Sequence, residues 1–112
     1  MKCPKCRTES FTAFSWREVT VDRCASCHGI WFDEQELPQL LSAGPRQLTP
    51  LLEGSENEDL NSKRGNCPRD GSPLVRMYSA INRSVVVDIC LDCRGIWLDG
   101  GEFEKLLIGR QA

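Results

Sequence analysis

The string Cys24-Ala25-Ser26-Cys27-His28-Gly29-Ile30-Trp31-Phe32-Asp33 recurs 66 residues later as Cys90-Leu91-Asp92-Cys93-Arg94-Gly95-Ile96-Trp97-Leu98-Asp99. The match runs on through Glu36/Glu102, Leu37/Phe103, Leu40/Leu106 and Leu41/Leu107, and upstream through Val19/Val85, Val21/Val87 and Asp22/Asp88. An earlier pair of segments also matches, at an offset of 64: Cys3-Pro4-Lys5-Cys6 and Cys67-Pro68-Arg69-Asp70. The chain therefore builds one supersecondary unit twice. The copies span residues 1–43 and 66–112, with 44–65 between them.

About forty residues bury too little surface to fold unaided. A bound metal supplies what is missing, with apparent values of ~10–16 kcal/mol for structural zinc in finger peptides. Cys3, Cys6, Cys24 and Cys27 form two Cys-x-x-Cys pairs, the spacing of a tetrahedral four-sulfur zinc site. The chain has 7 cysteines, an odd number, and no apolar stretch follows Met1-Lys2-Cys3-Pro4. A disulfide framework would pair an even number behind an export signal. The expected home is the cytoplasm. No apolar run approaches the ~20 residues that span a bilayer, so no membrane partner is expected.

The second copy has three cysteines, Cys67, Cys90 and Cys93, with Asp70 where the first has Cys6. Asp70 closes a three-sulfur, one-oxygen zinc site, or water takes the fourth position, or the copy has lost its metal and folds on its apolar core. The first reading leads, giving two zinc ions per chain. His28 is the only histidine and its counterpart in the other copy is Arg94, which makes it an exposed residue rather than a ligand.

Alternating, β-branched Ser15–Val21 and Ser84–Ile89 read as strands entering the second cysteine pair. Helices are expected at 34–41 and 100–108, with Leu37/Leu40/Leu41 and Phe103/Leu106/Leu107 on one face. Asp33 with Glu36, and Asp99 with Glu102, fit capping boxes, flanked by hydrophobic staples Phe32/Leu37 and Leu98/Phe103. That reading accounts for these acids without catalysis. Trp31 and Trp97 are expected in the core beside the metal, with partner binding as the alternative; Trp16 lacks a counterpart and is the better partner-binding residue. Between the copies, Gly44-Pro45, Gly54-Ser55 and the acids Glu53, Glu56, Glu58 and Asp59 have linker composition, although Leu48–Leu52 is apolar enough to cover core.

The Cys-Pro-x-Cys segments and the Cys-x-x-Cys-x-Gly-Ile-Trp-x-Asp-x-x-Glu strings resemble the transcription-factor-IIB-type zinc-finger family. The resemblance covers both copies and omits the linker. It implies a small metal-stabilised α+β fold of tandem zinc ribbons, each a β-hairpin with two metal knuckles and a short capped helix. Shared fold does not fix function. The formal charge of −2 grows more negative when thiolates hold zinc, a poor footprint for nucleic acid. A non-catalytic module that binds a protein partner is therefore expected first, a nucleic-acid-binding protein second, and a zinc hydrolase or thiol redox protein last.

Overall fold

Each copy folds as a three-stranded antiparallel meander. In the computed structural model, which describes residues 1–54 and 57–111, the first copy forms β1 (Phe11–Trp16), β2 (Val19–Cys24) and β3 (Ile30–Phe32). The second forms β4 (Val75–Tyr78), β5 (Val86–Ile89) and β6 (Ile96–Leu98). Ser55 and Glu56, part of the acidic linker segment, and the terminal Ala112 lie outside the described residues.

The meanders join into one 6-stranded sheet of order β1-β2-β3-β6-β5-β4. The junction is β3 against β6, with Ile30 opposite Leu98, Trp31 opposite Trp97 and Phe32 opposite Ile96. This register relates the copies by an approximate two-fold axis through the Trp31/Trp97 pair. The short Gly-Ile-Trp strands were not expected from sequence. They are only three residues long, too short to show alternation.

One expected strand also changes. Ser15–Val21 is not continuous, because β1 ends at Trp16 and the chain reverses through Arg17, whose φ is 54°. A two-residue tip joins strands whose own twist favours positive φ there. The Arg17 guanidinium lies 4.5 Å from the Trp16 ring centroid.

Residues directly opposite one another share a face of the sheet. Phe14/Val21, Trp16/Val19 and Met77/Val87 mark one face. Over it lie α1 (Glu36–Leu40), a 3-10 segment (Pro45–Leu51) and α3 (Glu102–Gln111). Their Leu37, Leu40, Leu48, Leu51, Phe103 and Leu106 form one core with the strands of both copies. Burying a leucine side chain is worth ~1.5–3 kcal/mol, so Leu48 and Leu51 make this stretch between the repeats part of the fold. A short helix α2 (Glu58–Asn61) follows, where Asn57 Oδ1 accepts the Leu60 N–H at 3.2 Å. The opposite face carries both tryptophans, packed with the cysteines.

Candidate metal centres

Each cysteine pair sits on the same tight turn. The carbonyl of the first ligand accepts the N–H four residues on: Cys3 from Arg7 at 3.0 Å, Cys24 from His28 at 2.9 Å, Cys67 from Gly71 at 2.9 Å and Cys90 from Arg94 at 2.8 Å. The residue closing each turn is left-handed: φ is 62° at Arg7, 66° at His28, 80° at Gly71 and 63° at Arg94. Within the turns, N–H groups point at sulfur, from Cys6 to Cys3 Sγ at 3.4 Å and from Cys93 to Cys90 Sγ at 3.4 Å. Such donors stabilise thiolate over thiol.

These turns bring the ligand atoms of Cys3, Cys6, Cys24 and Cys27 within 4.8 Å of one another, and those of Cys67, Asp70, Cys90 and Cys93 likewise. None of the seven cysteines is in a disulfide. The Asp70 turn matches the Cys6 turn, including an N–H directed at Cys67 Sγ at 3.5 Å. Its carboxylate lies 3.5 Å from Cys90 Sγ and also accepts the Ser72 N–H at 2.9 Å. That N–H holds the Asp70 carboxyl below the usual carboxylate range, so it is ionised and ready to bind a cation. Soft sulfur with one carboxylate oxygen in a four-donor set suits zinc, and the two clusters fit two zinc ions. They are unequal, because Asp70 is exposed whereas Cys6 is only partly so.

In the absence of metal, the crowded thiols share protons. A hydrogen bond from the Cys27 thiol, 3.6 Å away, draws Cys3 down to about 5 and raises Cys27. Burial pushes Cys67 up to about 12. Zinc held by these cysteines would take the place of their protons, since thiolate is the ligand form.

The acids assigned to helix capping do something else. The residue before α1 is Gln35, at φ 71° and with no side-chain cap bond. Asp33 instead accepts the Trp31 indole N–H at 2.9 Å, and Asp99 accepts that of Trp97 at 3.0 Å. Only half of one capping box survives, the Asp33 N–H donating to Glu36 Oε1 at 2.7 Å. A buried indole N–H needs an acceptor, and here that need takes the oxygen that capping would use.

The remaining bonds of these acids cross between copies. Lys5 Nζ lies 3.1 Å from Asp88 and 3.3 Å from Asp99. At the equivalent position in the second copy, Arg69 lies 3.1 Å from Asp22 and 2.9 Å from Asp33. Each first knuckle thus places its cation between two acids of the other repeat. The pairs differ in setting. Carbonyls of Leu60 and Asn61 cover Lys5, which is fully buried, while Arg69 stays half exposed. Sequence reasoning missed these clamps, although Lys5/Arg69 and Asp22/Asp88 both stand at matched positions.

Trp31 and Trp97 are both 0 % exposed, which places them in the core and leaves neither indole at the surface. Trp16 is partly buried against the core. His28 is partly exposed, outside both ligand clusters.

Two four-donor clusters on paired hairpin knuckles define a tandem zinc ribbon. The chain belongs to the family described as transcription factor zinc-finger, whose sequence profile matches residues 2–43 and again 66–108. No curated protein and no solved structure matches the chain significantly.

Proposed function

We propose that this tandem zinc ribbon is a non-catalytic module that binds a protein partner through its β4 edge. One observation carries the reading. All four residues of β4 are exposed at the end of the sheet, with Val75 at 39 %, Met77 at 49 % and Tyr78 at 74 %. Ile81, in the following loop, is 42 % exposed. An open edge flanked by large apolar side chains is a template for strand addition and an aggregation hazard unless something covers it. In the first copy, Phe14 occupies the place of Met77 and is partly buried against the core.

Electrostatics support the same reading. Lys5, Arg23, Arg69 and Arg76 are paired with carboxylates of the chain itself, which weakens any cationic face. Each cluster offers four possible donors, a number that suits structural zinc. No described helix is long and apolar enough to cross a membrane.

A second reading, nucleic-acid binding, draws on a cleft of about 370 Å³ between the first knuckles, lined by Lys2, Pro4, Arg7, Asn66 and Pro68. One experiment separates the two. A photo-crosslinking amino acid replaces Tyr78 in the zinc-loaded chain, in cells that make it, and a second chain carries it at Arg7. Discrete nuclease-resistant protein adducts from position 78 are expected, diminished by Met77→Asp. Nuclease-sensitive adducts from position 7, with none from 78, would favour nucleic acid instead.

A further inference from the structure

Glu36 and Glu102 occupy equivalent places and have different bonds. Glu36 Oε1 accepts the Asp33 N–H. Glu102 is only 7 % exposed, and its Oε2 has no hydrogen-bond partner. It lines a cavity of about 290 Å³ together with Glu58, Asn61, Ser62, Arg76, Ser84 and Asp99. A buried carboxylate oxygen without a donor is costly, and each one in a native structure calls for a partner.

The nearby cations are already engaged. Lys5 Nζ lies between Asp88 and Asp99. Arg76 contacts Asp88 and donates to the carbonyls of Asn61 and Lys63. Once Glu102 is ionised, three buried acids exceed these two cations by one negative charge. Among the described residues, only the two cysteine clusters have metal-ligand spacing, so a compact metal ion is not what these acids are arranged to hold. A larger cation that donates hydrogen bonds suits them better. An ammonium group can donate to a carboxylate and to hydroxyl or amide oxygens together, and Ser62, Ser84 and Asn61 supply those.

We infer that this cavity binds a primary alkylammonium group, with Glu102 as its charge partner. The first copy lacks the site because Glu36 is bonded to its own backbone. A free amine and a lysine side chain present the same chemistry, and the experiment tells them apart.

The test follows the indole N–H resonance of Trp97, whose acceptor is Asp99, in the zinc-loaded chain by NMR at pH 8, where Glu102 is ionised. Methylammonium chloride and Nα-acetyl-lysine amide are each titrated at constant ionic strength. Tetramethylammonium, which donates no hydrogen bond, is the control. A saturable shift in the millimolar range is expected with either primary amine, and tighter binding of one identifies the source. Glu102→Gln should weaken it at least tenfold while the Trp31 resonance and zinc content stay unchanged. An equal response to tetramethylammonium, an unaltered titration in Glu102→Gln, or no saturable shift in the parent chain would overturn the inference.

Discussion

Trp97 fills the space that a side chain at Gly29 would need, and Trp31 does the same at Gly95. The two indoles stand opposite one another on β3 and β6, each lying over the knuckle of the other repeat. The Gly-Ile-Trp string is thus an exchange. The glycine of one copy is shaped to receive the tryptophan of the other.

Gly29→Ala and Gly95→Ala are therefore expected to destabilise the zinc-loaded chain by about 2–4 kcal/mol, the upper range for overpacking against a large side chain. Neither glycine needs a left-handed φ, so the loss reports the close approach alone. Urea unfolding followed by tryptophan fluorescence measures it. A change under 0.5 kcal/mol at both positions would show that the indoles are free to move aside.

The crossed ion pairs give an unequal expectation. Lys5→Ala leaves Asp88 and Asp99 buried without their ammonium and should cost about 3–5 kcal/mol. Arg69→Ala removes a half-exposed cation and should cost under about 1 kcal/mol. Comparable losses from the two variants would contradict the role given to the Leu60 and Asn61 carbonyls, which accept from Lys5 and not from Arg69.

Glu102 makes stability depend on pH. Burial, followed by the Asp99 and Asp88 carboxylates, raises it from 4.5 to about 7 against the pull of Lys5. The native chain holds this proton more tightly than the unfolded chain does. Native stability from this group is thus full below about pH 4.5 and declines as pH climbs to about 7. Glu102→Gln removes the dependence. At pH 5.5 it should match the parent within about 1 kcal/mol, and at pH 8 it should be roughly 2–3 kcal/mol more stable. Denaturation of both proteins in saturating zinc at each pH cancels the shared titration of the thiols. A constant difference across that range would remove Glu102 as the source.

The two zinc sites should also exchange at different rates. Asp70 is exposed and is a harder donor than Cys6, so the second site admits a competing ligand more readily. A colorimetric chelator should withdraw one zinc per chain at least tenfold faster than the other. Asp70→Cys should merge the phases.

Much of this was legible in the residues. The Cys-x-x-Cys spacing and the 66-residue repeat led to both ligand clusters, because a thiolate tetrahedron demands paired turns. The junction between copies was not legible, because β3 and β6 carry no periodic signal and pair only with each other and their own hairpins. The capping expectation for Asp33 and Asp99 also failed for a tertiary reason. Local pattern shows Asp-x-x-Glu, but it does not show that a buried indole two residues earlier needs the same oxygen. Nothing in the local pattern around Lys5 signals burial, because it is the opposing repeat and the segment between the copies that enclose it.

The most direct test counts zinc by native mass spectrometry on the parent chain and on Asp70→Ala. Two zinc ions are expected on the parent, and one tightly held with one readily lost on Asp70→Ala. A single zinc on the parent chain would contradict this.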